Sequence, residues 1–183
     1  VRQREAGELE AAWENARRLL EAKVADAQVR EFARDTALES GALLARQNRN
    51  RAGLALARQA ADHFGESAPV WEMLGLFQRN NQQNVDAMAS YRRALALDPQ
   101  SAGAAVGLGI AASAAGSPEE AAEAFQAALK RFPDHVPAKL AYAVFLLRQA
   151  EAGAGDIARP VAILEACRAP SSVQQNIQLR RPI

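Results

Sequence analysis

One internal correspondence constrains this chain more than anything else in it. Leu74 and Gly75 recur as Leu108 and Gly109, Ala87 as Ala121, Tyr91 as Phe125, Ala94 as Ala128 and Pro99 as Pro133. Every pair is separated by the same 34 positions. A shared offset across residues of such different chemistry marks a structural unit of that length, used at least twice. A unit this short cannot close a core alone, so the chain must bury apolar surface by stacking one unit on the next.

The spacing inside the unit says what it is made of. Ala87, Tyr91 and Ala94 are four and three residues apart, which places them on one face of a helix. The two alanines make room and the aromatic fills the gap. Leu74 and Gly75 belong to a preceding helix, where the missing side chain lets a partner helix come close. Pro99 and Pro133 end the second helices, because proline cannot continue the backbone ladder. Gly116-Ser117-Pro118-Glu119-Glu120 reads as a turn and helix start: Ser117 is expected to cap, Pro118 suits the first turn, and the acids favour the positive helix end. Composition agrees, with 49% hydrophobic residues but only 5% aromatic. Much of the apolar share is alanine, which favours helix and close approach but buries little area per residue. That suits many thin helices in series.

The pattern Trp71, Leu74, Gly75, Ala87, Tyr91, Ala94, Pro99 resembles the tetratricopeptide repeat. The first unit departs from it at Gln78, where the family carries tyrosine. The second departs at Ala105 and Ala112, where tryptophan and tyrosine would stand. The resemblance implies an all-α, right-handed α-solenoid of antiparallel helix pairs, a piece of a larger bacterial-type repeat protein. The expected divisions are a partial repeat over 1–26, a degenerate repeat over 27–65, repeats over 68–101 and 102–135, an irregular capping repeat over 136–170, and a tail over 171–183. In the partial repeat, Leu9, Ala12, Trp13, Ala16 and Leu20 form the buried face. In the degenerate repeat, Gly53 and Ala57 stand where Ala87 and Tyr91 stand. In the capping repeat, a first helix over Val136–Ala150 and the loop EAGAGDIAR precede a helix over Pro160–Arg168. Leu164 and Cys167 are expected at its aromatic and small positions. The truncated first unit and the initial Val1 read as a piece cut from a longer array.

The resemblance also implies where a ligand would lie. First helices of such arrays line an inner groove, and the family's ligand-facing positions carry over to Leu38, Ala42, Ala45 and Arg46, then Glu72, Leu76, Arg79 and Asn80. Val106, Ile110 and Ser113 follow, then Leu140, Val144, Leu147 and Arg148. This lining is mainly apolar, and it lacks the lysines and asparagines with which some relatives clamp a C-terminal carboxylate. It suits an amphipathic helix or an extended apolar segment, with Glu72, Arg79 and Arg148 fixing orientation. The expected function is therefore a non-catalytic scaffold for protein–protein interaction. The alternative is a structural spacer or self-association segment, or a groove covered by the chain's own tail.

Other chemistries find little support. The formal net charge is +1, from 22 basic and 21 acidic residues. Nucleic-acid binders show a basic excess, and the clusters Arg46-Arg49-Arg51 and Arg180-Arg181 do not alternate with exposed aromatics. Gly107-Leu108-Gly109-Ile110-Ala111-Ala112 fits a dinucleotide fingerprint on paper but follows no strand. His63 and His135 sit in no metal-spaced cluster, and Cys167 has no second thiol. Glu119-Glu120 is explained as a helix start, and Trp13 and Trp71 as core. No catalytic constellation and no cofactor are expected. No run is long enough to insert in a membrane, so a soluble chain is expected, cytoplasmic or periplasmic.

Overall fold

The computed structural model describes residue 8, residues 11–15, 17 and 18, and residues 26–168. Eight helices with defined ends follow one another: α1 (Ala27–Arg46), α2 (Asn50–His63), α3 (Ala68–Asn80), α4 (Asn84–Leu97), α5 (Ala102–Ala114), α6 (Pro118–Arg131), α7 (Val136–Glu151) and α8 (Ala158–Arg168). Residues 11–15, 17 and 18 are helical as well, and no described residue lies in a strand. Each odd-numbered helix packs on the even-numbered helix after it, and each even one on the next odd one. Successive odd helices also touch one another, whereas successive even helices make no comparable contact. The chain is thus an α-solenoid of helix pairs, with α1, α3, α5 and α7 side by side along one face.

The 34-residue offset reaches down to single backbone atoms. The turn after each first helix contains one residue in the left-handed region: Asn48 (φ 55°), Gln82 (φ 64°) and Gly116 (φ 79°). The amide of the following residue returns to the last helical turn, as Arg49 N–H to Leu44 O (2.9 Å), Gln83 to Gln78 (2.9 Å) and Ser117 to Ala112 (3.0 Å). This closing bond satisfies carbonyls that the helix end would otherwise leave free. Second helices end alike, with Phe64, Asp98 and Phe132 donating to Ala60, Ala94 and Ala128 at 2.8 Å. After α7 the same turn recurs at Gly153 (φ 79°), with Ala154 donating to Gln149 at 2.8 Å. It stands 37 rather than 34 residues beyond Gly116, so α8 is set off from the regular series.

Helix starts are less uniform. Asp26 accepts from the Gln28 amide (2.7 Å), Ser101 from Ala104 (3.0 Å), and the His135 ring Nδ1 from Ala138 (3.3 Å). Ser117 holds the cap position of α6, but its side chain makes no capping bond, contrary to the sequence expectation. Pro118 and the acids Glu119 and Glu120 are in the first turn as expected. Two clusters of buried side chains form the core. One runs from Trp13 and Ala33 to Phe77, the other from Ala87 to Phe145, and Trp71 packs against both. The Trp71 indole also donates to the Gly65 carbonyl at 2.9 Å, pinning the entry into α3. Gln78, where the family would place tyrosine, is buried and accepts from Ser90 Oγ at 2.6 Å, so the pair is satisfied inside the fold. In α8, Pro160 is fully buried and Ile163 packs against the second cluster, while Leu164 and Cys167 are only half-buried. Leu9, Ala16, Leu20 and the tail over 171–183 lie outside the described residues.

Candidate functional site: the groove along the first helices

The first helices present a trough about 510 Å³ in volume. Leu38 and Ala42 enter it from α1, Glu72, Leu76 and Arg79 from α3, and Val106 and Ile110 from α5. A continuation of about 270 Å³ is lined by Ile110, Ser113, Leu140, Val144 and Arg148. Ile110 belongs to both, so the two form one groove crossing four helices. Leu140 and Val144 are 43% and 47% exposed, high for aliphatic side chains on a helix flanked by neighbours. Contiguous exposed apolar surface of this kind marks contact sites.

Some expected lining residues lie elsewhere. Arg46, Asn80, Ala45 and Leu147 line neither cavity. Ala45 packs against the first core cluster. The Asn80 amide donates to Asn50 Oδ1 at 3.1 Å, across the turn onto α2. Arg46 is exposed in the last turn of α1, and Leu147 is half-buried. Residues that positional carry-over missed make up much of the floor and one rim: Met73 and Tyr91 beneath, His135 and Pro137 at the edge. Pro137 follows the capping His135 at the start of α7, and that edge is set by helix starts rather than by periodic positions.

The floor depends on glycines. A Cβ on Gly107 would lie 2.4 Å from the Tyr91 ring, and one on Gly75 3.0 Å from it, so the ring is held between two first helices. A Cβ on Gly103 would lie 2.0 Å from the Glu72 carboxylate. Ser101 Oγ donates to that same carboxylate at 2.6 Å, so Glu72 is fixed across the start of α5. Burial pushes the Tyr91 phenol up to about 12; nearby Arg79 works against the shift and Glu72 with it. A raised folded value means that the stability tied to neutral Tyr91 is complete below its ordinary value of 10.0 and lost as pH rises through about 12. Relative to Tyr91→Phe, the native chain should lose about 2–3 kcal/mol of unfolding free energy over that window, measured by urea unfolding at stepped pH. Parallel curves for the two proteins would contradict this.

Among the described residues, no group of three or more His, Cys, Asp or Glu side chains could hold a metal ion. No described helix is long and apolar enough to cross a membrane. His63 ends α2 and Glu120 pairs with Arg92 of α4, which assigns both to the scaffold.

The stacked helix pairs define a helical-repeat protein. A family model described as tetratricopeptide repeat matches residues 38–102 and 106–169. That is well over half of the chain, and the chain belongs to the tetratricopeptide repeat family. No curated protein matches it. Among solved structures, one described as MamA protein is 16% identical, with a TM-score of 0.67 over 99% of this chain and 91% of that one. YrrB, described as a TPR protein with an unusual peptide-binding site, is 20% identical, with a TM-score of 0.63 over 89% of this chain and 78% of that one. The Arabidopsis OM64 TPR domain is 19% identical, with a TM-score of 0.58 over 62% of this chain and 93% of that one. At these identities the likeness concerns the fold.

Proposed function

We propose that this chain is a non-catalytic scaffold that holds a partner peptide or helix in the apolar groove along α1, α3, α5 and α7. Tetratricopeptide arrays mediate protein–protein contacts, and the finer reading rests on one observation. The floor is continuous and apolar from Leu38 through Leu76, Val106 and Ile110 to Leu140 and Val144, with charged groups only at its edges. A floor of this kind suits the apolar face of an amphipathic segment. The peptide-binding site named for YrrB is in keeping with this use of the fold.

The test is selection of binders from a displayed peptide library, followed by affinity measurement. Leu76→Glu with Ile110→Glu puts two charges on the floor at half-buried positions, of which Ile110 borders the second core cluster. Affinity for selected peptides should fall at least about tenfold, or 1.4 kcal/mol, with helix content by circular dichroism unchanged. Full binding by the folded double variant would remove the groove reading.

A second reading, self-association, is favoured by a separate apolar cleft of about 560 Å³ lined by Leu95, Leu108, Phe132 and neighbours, which shares no residue with the groove. Light scattering that gives a strict monomer across a wide concentration range would remove it.

A further inference from the structure

The cleft beside Leu95 and Leu108 lies where the chain lacks a residue that it carries one repeat earlier. Ala105 stands 34 residues after Trp71. Trp71 is half-buried on α3 and packs against both core clusters, whose members include Ala61, Leu74 and Ala94. Thirty-four residues on, the counterparts of these three are Leu95, Leu108 and Ala128. All three line the cleft of about 560 Å³, together with Ala105, Arg131 and Phe132. The space is thus bounded by counterparts of the residues that hold Trp71, with a methyl group where the indole would be. Its walls are also more apolar: Leu95 replaces Ala61, and Phe132 replaces Asp98. These larger side chains leave the cleft open.

The polar edge corresponds as well. Trp71 Nε1–H donates to the Gly65 carbonyl at 2.9 Å. The counterpart of Gly65 is Pro99, whose carbonyl accepts from Arg131, a residue of the cleft lining. A carbonyl oxygen has a second lone pair for an indole N–H. A guanidinium at the mouth attracts the face of an aromatic ring, tryptophan best of all. An aliphatic side chain would use neither.

We propose that this cleft takes the indole of a tryptophan side chain presented by a partner polypeptide. The proposal is separate from the groove reading, since cleft and groove share no lining residue. The residues outside the description include no Trp, Tyr or Phe, so none of them can supply the ring. Among the described residues, Phe32 is the one exposed aromatic of these three types, at 61%. A second copy would therefore offer a phenyl ring, which has no N–H to meet the carbonyl.

The probe is the peptide acetyl-Gly-Gly-Trp-Gly-Gly-amide, titrated into the isotope-labelled chain and followed by backbone amide chemical shifts. Leu95, Ala105, Leu108 and Phe132 should shift saturably, with a dissociation constant on the order of 1 mM or tighter. The same peptide with leucine should bind at least about fivefold more weakly. A105W returns the ring from within the chain, as Trp71 does one repeat earlier. It should raise the thermal midpoint by about 2–4 °C and abolish the shifts. R131Q changes an exposed residue; it should weaken the tryptophan peptide about threefold and leave the leucine peptide unchanged. It carries the test if A105W fails to fold, and circular dichroism checks both variants. Full binding by folded A105W, tryptophan binding undiminished in R131Q, or equal binding of the two peptides would overturn the proposal. The absence of any saturable shift would overturn it too and make the cleft a packing gap only. Shifts confined to Leu76, Val106 and Ile110 would overturn it while leaving the groove reading in place. Self-association that moves the cleft resonances and is lost in F32A would give the cleft to a second copy, and so overturn it as well.

Discussion

Phe125→Ala should remove about 3–5 kcal/mol from the stability of the array, the range for deleting a buried aromatic ring without relaxation of its surroundings. Phe125 is 1% exposed, with ring centroids 5.7 Å from Tyr142 and 5.6 Å from Phe145. It lies over Gly109, where a Cβ would stand 2.8 Å from the ring. Denaturant unfolding followed by circular dichroism measures the effect. A loss below about 1 kcal/mol would mean that this ring is not what holds α5, α6 and α7 together.

The second large effect concerns a size exchange between repeats. In the well-formed repeat, Tyr91 on the second helix reaches between Gly75 and Gly107. Thirty-four residues earlier the corresponding positions are Ala57, Gly41 and Met73. There the second-helix residue is small, and Met73 from the following first helix fills the space, its Sδ standing 2.1 Å from where a Cβ on Gly41 would be. The same inter-helix volume is thus filled from opposite sides in adjacent repeats. Tyr91→Ala alone should cost about 3–5 kcal/mol. Gly107→Met alone should cost about 1–3 kcal/mol by overpacking against the Tyr91 ring. The double variant copies the Ala57–Met73 solution, so it should be more stable than the sum of the single effects implies, by about 0.5–3 kcal/mol. Simple additivity would show that the two arrangements are not interchangeable.

This exchange also explains which parts of the fold were legible in the sequence. The repeats built on Tyr91 and Phe125 were plain, because a large residue on the second helix and glycine on the first are the family's usual division of volume. The repeat containing Ala57 looked degenerate at the same positions. Its packing is intact, but the aromatic and the small residue have traded helices: Gly53 accepts the Phe77 ring, where a Cβ would come within 2.1 Å. Position-by-position comparison cannot see a compensation whose two halves lie on different helices. The same limit applies to the groove. Aliphatic lining residues were readable by carrying positions forward, whereas His135, Pro137 and Tyr91 came from a helix start and from the second helix behind the floor. The left-handed turn residues are announced by glycine at Gly116 and Gly153 and by asparagine, which tolerates this region, at Asn48; Gln82 adopts the same backbone conformation without a residue type that announces it.

Within the array each helix touches only its near neighbours, and the first helices are linked one to the next, α1 to α3, α3 to α5 and α5 to α7. Coupling between distant repeats is therefore relayed step by step, so an end can fray while the middle stays ordered. A rod laid along the groove would span several first helices at once. It would act as a splint, joining units that the chain itself links only in series, and opening any one of them would then require releasing the whole.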